Sequence, residues 1–248
     1  IQPMRPNVLA AFVACIILSS PLCAIDRADG KKNGTAIRYG SAMAGAIQSN
    51  AVVFSFNYFV GQTDFSRVSA NSYRHNLSCE WGWDQSAYQT NQIGHPYQGS
   101  TYFAAGRSNG LNFYQSALIA GFGSANWELF GERNEPSLND LIQTTVGGTA
   151  FGEMMHRLYL EAASTGTPFA FLISPMSALN AWINHETPEA RAGNIQSMTL
   201  VSGIGFSHAS RVEDGKNCPG DANDTPSLAS GISVSYTHLR AHETIGRI

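Results

Sequence analysis

The sequence predicts a mainly α-helical bundle built on a long antiparallel αα-hairpin, with a small β element beside it. Three observations carry that expectation. Two long helical stretches, about Leu111 to Phe130 and about Ser137 to Ala163, are separated only by Gly131 to Pro136, and so short a connection makes two helices antiparallel neighbours. Ser137 and Asp140 stand in the S-x-x-[DE] relation of a capping box, which marks the start of the second stretch. Small residues recur every four positions on both, Ala117, Gly121 and Ala125 on the first and Gly148 and Gly152 on the second, so the backbones are free to approach closely. Counting outward from the loop sets Gly121 opposite Gly147 or Gly148.

Taken in order, the chain opens with the basic start Met4-Arg5-Pro6-Asn7 and the uncharged run Val8 to Leu18. That run is too short to span a bilayer, which needs about 20 apolar residues, and with Ser19 to Ala24 behind it reads as a secretory signal over 1–24. Residues 25–41 read as a flexible leader, and a mainly helical domain is expected over 42–210. Its first helix is expected from Ala42 to Val60, rich in Ala, Ile, Val and aromatic residues. From Asn76 to Asp84, Leu77, Cys79, Trp81 and Trp83 alternate with Ser78, Glu80 and Gly82, the period of a half-buried strand. Helix resumes over Gly99 to Arg107, and after the hairpin a short helix is expected from Ala178 to Asn184. Ile195 to His208 reads as a second strand, and 211–233 as a loop. Val234 to Thr244 reads as one frame of a translated sequencing adaptor, so 234–248, with the zinc-like spacing of His238 and His242, is set aside as an artefact at a truncated end.

Composition narrows the function classes. Charged residues make up 13% of the chain and the net charge is -3, against roughly 25% charged residues in ordinary soluble domains. Sparse, balanced charge excludes a basic nucleic-acid face and suits a chain that lies in or against a membrane. No nucleotide-binding glycine fingerprint and no histidine or cysteine ligand spacing in the body of the chain implies a cofactor or a metal. Behind an export signal only Cys79 and Cys218 remain, and an oxidising compartment permits a disulfide between them; two unpaired thiols are the alternative.

The central segment carries an ordered set of short motifs: Asn91-Gln92, His95-Pro96-Tyr97-Gln98-Gly99, Ala104 to Gly110, Gly123-Ser124-Ala125-Asn126-Trp127-Glu128, Pro136 to Asp140 and Gly147 to Glu153. With these it resembles the bacterial envelope family known as domain of unknown function 3943, over roughly Asn50 to Ala192. The resemblance implies an envelope location and brings no known activity. Ala105-Gly106-Arg107 departs from the more usual Ala-Ala-Arg.

Candidate chemistry lies on the same motifs. The hairpin puts Glu128 level with Asn139 and Asp140, and paired carboxylates are able to share a proton as acid and base. The structural alternative is that Asp140 caps its own helix while Glu128 accepts from the exposed N–H groups at that helix's start. Glu153 and Arg157 have the spacing of a helical salt bridge, with Arg107 and Gln115 level with them, a set suited to a closed polar network. Asn109, Ser137, Asn139, Gly148 and Gly152 read as structural members of the motifs. His95, which Pro96 biases to an extended backbone, is the first choice for a catalytic base or a metal ligand.

Two functional classes follow from these residues. One is a non-enzymatic, exported helical module that packs against the membrane or an outer-membrane barrel. The other is a lipid- or envelope-modifying hydrolase using His95 with Glu128, Asp140 or Glu153, on a small-molecule substrate that the residues do not specify. Convergence of these side chains in an open cleft favours the enzyme; dispersal, or burial in closed hydrogen bonds, favours the module.

Overall fold

The computed structural model describes residues 37–84, 86, 89–190 and 195, with two strand segments at 205–206 and 232–233. The expected signal, most of the leader, Cys218, the loop before residue 232 and the adaptor-like tail lie outside the described residues. The chain runs through α1 (Tyr39–Phe56), α2 (Ala70–Ser78), α3 (His95–Ser108), α4 (Phe113–Phe130), α5 (Leu138–Ile142), α6 (Gly148–Ser164) and α7 (Pro175–Asn184). The mainly α expectation holds. Of the strand expected over Ile195 to His208, most lies outside the described residues; within it Gly205–Phe206 pairs antiparallel with Ile232–Ser233.

Helix α3 lies at the centre, packed against α1, α4, α6 and α7. It is able to do so because it meets each neighbour at small residues. Gly45 of α1 sits on Ala105, where an added Cβ would stand 2.9 Å from the Ala105 methyl. Gly106 lies against the Cα of Ser116 on α4, at 2.8 Å from an added Cβ, so an alanine there, as in the commoner Ala-Ala-Arg, would collide with this chain's Ser116. Gly148 of α6 crosses Gly99 backbone to backbone, and Gly152 takes the Phe103 side chain. The glycines of α6 therefore face α3, and not α4 as the hairpin count had it. Gly121 meets only the Thr145 side chain, at an ordinary 3.6 Å from an added Cβ. The reason is that α6 packs most closely on the central helix and touches α4 only lightly.

The hairpin itself is as expected. Ser124 Oγ reaches the Leu141 carbonyl at 3.5 Å, and Glu128 meets Ser137 across the corner. The second arm is a rod in which α5 passes through a π-helical turn, Gln143–Gly147, into α6. Local caps set the helix starts: Asn112 and Gln115 exchange side-chain bonds to each other's backbone N–H, as do Ser69 and Ser72. That second capping box corrects the strand expected over Asn76 to Asp84. Residues 70–78 are helical, Leu77 points to solvent, and only Gly82 keeps a strand-like bridge, to Ser137. Helix α1 also begins earlier than the leader boundary expected at 41.

Large and small residues are distributed the wrong way round for a water-soluble bundle. Among the described residues, buried polar side chains outnumber buried apolar ones, and half of the buried apolar residues are alanine. Outward positions four apart carry the bulk instead: Tyr39, Met43 and Ile47 on α1, Tyr114 and Leu118 on α4, and Leu138, Ile142 and Val146 along the rod, all exposed. Leu118 is 74% exposed and Val146 65%. These helices adjoin, since Gln115 donates to the Tyr39 hydroxyl and Gly121 faces Thr145. No charged residue occurs in 39–63, 108–127 or 141–152.

Candidate functional site

The N-terminal end of α3, the second half of α1, the hairpin corner and the residues Gly82, Trp83, Asp84, Ser86 and Thr90 line a cleft of about 820 Å³. The corner is built first. Ser137 caps α5 by accepting from the Asp140 N–H at 3.3 Å. Its own N–H donates to Glu128 Oε2 at 2.9 Å, so the return leg of the box comes from the neighbouring helix. Asn139 then clamps both backbone groups of Asp84: its Oδ1 accepts from the Asp84 N–H at 2.7 Å and its Nδ2 donates to the Asp84 carbonyl at 3.2 Å. Gly82 completes the stitch, donating to the Pro136 carbonyl and accepting from the Leu138 N–H, both at 2.9 Å. Replacing Asn139 by alanine orphans these groups together and is expected to lower unfolding stability by about 2 kcal/mol, read in urea melts.

His95 enters the cleft from the first turn of α3. Pro96 does not hold it extended as expected: its backbone is helical (φ -62°, ψ -48°), because a π-helical turn, Thr90–Gly94, leads straight into α3. Its Nδ1 lies 3.1 Å from Thr144 Oγ1 and its Nε2 3.5 Å from Asp140 Oδ1. With the ring proton on Nε2, Nδ1 accepts from the Thr144 hydroxyl, and both nitrogens are engaged by the protein. Burial lowers the His95 pKa, opposed in part by Asp84, so the ring is neutral at pH 7.

The carboxyls around it are displaced the other way. Burial pushes Glu128 well above the ordinary glutamate range, and Glu132, Asp140 and Asp84 add repulsion. Glu132 is raised by burial and then by Asp140 and Asp84. Asp140 is raised by burial and by Asp84, against the Ser137 hydrogen bond. The structure therefore sets His95 beside Asp140 and places Glu128 on the neighbouring Ser137 N–H, and it adds Asp84, Glu132 and Glu135, which the sequence did not single out.

Glu153 lies elsewhere. Its carboxylate takes Arg107 Nε at 2.8 Å and Arg157 Nε at 2.7 Å, and Arg107 also donates to the Leu111 carbonyl at 3.0 Å. Burial alone would raise Glu153, but the two arginines outweigh it and hold its pKa below the usual value. The closed network is as expected except that Gln115 is not in it: it caps α4 and bonds Tyr39. Asn109 is fully buried, its Nδ2 donating to the Ala105 carbonyl at 2.9 Å and its carbonyl accepting from the Arg38 N–H at 3.0 Å.

Two histidines the sequence reading left scattered do have partners. His156 is buried, with Nδ1 3.0 Å from Ser177 Oγ, and burial lowers its pKa to about 4. His75 and Cys79 sit one helical turn apart on α2 beside Glu135, their ligand atoms within 4.8 Å of one another. That geometry resembles a metal site, but Cys79 is disulfide-bonded and so offers no thiolate. Every other cysteine lies outside the described residues, the expected partner Cys218 among them.

Residues 80–176, which contain α3 to α6, the hairpin corner and most of the cleft wall, match the family model described as a domain of unknown function, DUF3943. The similarity to DUF3943 covers this stretch of the chain. Comparison with curated proteins and with solved structures returns no match. The DUF3943 match begins just before Gly82 and ends at Met176, so it spans the stitched corner and all of the Gly99–Gly148 contact. Within the matched residues, His95, Gly99, Arg107, Asn109, Ser137, Asn139, Gly148 and Glu153 have identifiable packing or hydrogen-bonding work.

Proposed function

We propose that this domain is a non-catalytic module of the cell envelope whose outer helical face lies along a lipid surface. The observation that carries the reading is the inverted distribution of side chains, with Tyr39, Met43, Ile47, Leu118, Ile142 and Val146 outward and serine, asparagine and glycine inward. Helices that face lipid gain nothing by hiding apolar bulk from it, and they pack through small residues and interhelical hydrogen bonds instead. Tyr and aromatic residues at its margins suit the boundary between headgroups and water. No helix among the described residues is long and apolar enough to cross a membrane, so the face is read as lying along the bilayer. An exported location belongs to the same reading and rests on the signal-like N-terminus and the family resemblance.

The hydrolase reading has less support, because its candidates are already occupied. Both His95 nitrogens are engaged, Glu128 holds the Ser137 N–H, and Glu153 is neutralised by two arginines in a different place.

Flotation with uncharged phosphatidylcholine vesicles tests the proposal. The wild-type protein is expected to rise with the vesicles, and Leu118→Lys with Val146→Lys to weaken that binding roughly tenfold, about 1.4 kcal/mol, with Tm unchanged since both sites are exposed. Wild-type protein that stays in the aqueous fraction, or lysine variants that bind as well as wild type, would overturn it.

A further inference from the structure

The cleft at the hairpin corner is more than the polar filling of a helix junction. Among the described residues, its acidic lining is Asp84, Glu132, Glu135 and Asp140 against the base His95, with no lysine or arginine beside them. Aromatic rings form part of the wall: Trp83 and Tyr97 are exposed to the extent of 56% and 46%, while Trp127 is buried at its floor. The Trp127 indole N–H, a donor with no acceptor on the described protein, belongs to a side chain only 5% exposed that lines the cleft. Glu135 Oε1 is the converse, a buried acceptor without a hydrogen bond, 3.8 Å from His75 Nε2.

We infer that the cleft binds a small organic ammonium ion that also carries hydroxyl groups, the chemistry of an amino sugar. Carboxyls whose basic neighbours among the described residues are histidines call for a cation, and open Trp and Tyr faces favour an organic one through cation–π attraction and stacking. The hydroxyls supply the acceptor that Trp127 lacks and find donors and acceptors in Ser49, Asn57, Gln98 and Thr101, which line the same wall. A bare metal ion fits less well. Among the described residues, the trio of His, Cys, Asp or Glu ligand atoms that converge is His75, Cys79 and Glu135, so the carboxyls inside the cleft are spread around a volume and do not focus on a point. That volume, about 820 Å³, lies within the roughly 300–1,000 Å³ of small-molecule sites. The inference stands apart from the lipid-facing reading, since the cleft and the outward ridges share no residue.

Proton linkage supplies a signature. The groups facing the bound ammonium are Asp84, Glu132, Glu135 and Asp140, with His95 beside them, Glu128 behind Ser137 and His75 behind Glu135. Burial and mutual repulsion keep Glu132 and Asp140 above their ordinary values, and a bound cation favours their ionised forms. Binding therefore releases protons and strengthens as pH rises from 5.5 to 7.5.

Isothermal titration of the whole chain with glucosamine, N-acetylglucosamine and Mg²⁺ separates the alternatives. Saturable binding of glucosamine is expected, at least tenfold tighter than that of its neutral acetylated counterpart, about 1.4 kcal/mol, and tighter at pH 7.5 than at 5.5. Glu132→Gln and Trp83→Ala should each weaken it about tenfold; because Trp83 is an exposed side chain, its variant reports on the site even if Glu132→Gln perturbs folding. Equal binding of the two sugars, no saturation by glucosamine, or Mg²⁺ binding that glucosamine does not displace would overturn the assignment.

Discussion

Alanine at Gly99 or at Gly148 is expected to destabilise the domain by about 3 kcal/mol, while alanine at Gly121 leaves it within about 0.5 kcal/mol of wild type or slightly more stable. The contrast follows from what each new methyl would meet. A Cβ on Gly99 would fall on the Thr144 carbonyl and stand 2.9 Å from the Gly148 Cα, and a Cβ on Gly148 would fall on the Gly99 backbone. Backbone has no rotamer by which to yield, so α3 and α6 must separate, and with them the Thr144–His95 contact. At Gly121 the neighbour is a threonine methyl at 3.6 Å, and the gain in helix propensity, up to about 1 kcal/mol, is opposed by little. Urea melts of the three variants check this. Equal losses at all three positions would show that α6 is not seated on α3 as described.

The second expectation concerns Glu128→Gln, whose stability relative to wild type should grow by about 3 kcal/mol between pH 5.5 and pH 8. Glu128 is 1% exposed, and its folded-state pKa is raised by burial first and by neighbouring carboxyls second. A raised carboxyl contributes its stability below the unfolded value, about 4.5, and loses it as pH climbs toward the folded value. In this range the unfolded chain has released the proton and the folded chain still holds it, so folding becomes less favourable with each pH unit, by up to about 1.4 kcal/mol. Glutamine keeps an oxygen for the Ser137 N–H and has no proton to lose. Buried His95 and His156 act in the opposite direction, since their lowered pKa values penalise the folded state as pH falls below about 6.5. They are common to both proteins and cancel in the difference. Thermal melts across pH give the comparison directly; a constant gap between variant and wild type would show that Glu128 ionises in the folded state as it does in the unfolded one.

What the sequence made legible was whatever nearby residues decide. The hairpin followed from a six-residue connection, from Ser137 at its cap position and from the long uncharged stretch before it, and the meeting of Glu128 with Ser137 and Asp140 followed from the hairpin. The Glu153–Arg157 pair followed from helical spacing alone. The sequence also held signals that went unused: Ser69 and Ser72 mark the start of α2, and once that helix is recognised the four-residue step from His75 to Cys79 puts both on one face. Alternation of Leu77, Cys79, Trp81 and Trp83 competed with that signal and was mistaken for a strand, because period two in a short window does not require a sheet to pair with.

Only the tertiary structure decided which helix lies in the middle. Small residues every four positions say that some backbone approaches closely, but α3, α4 and α6 all carry them, and the choice of partner is made by how α1, α4, α6 and α7 share the surface of one helix. The same holds for the cleft. Asp84 comes to Asn139 from 55 positions away through an irregular segment with no periodicity, so no local pattern announces it, and the raised carboxyls of Glu128 and Glu132 exist only because burial and their neighbours come together in the folded chain. Local hydrogen bonding and helix period are written along the chain; long-range register, charge proximity and burial arise when the helices pack.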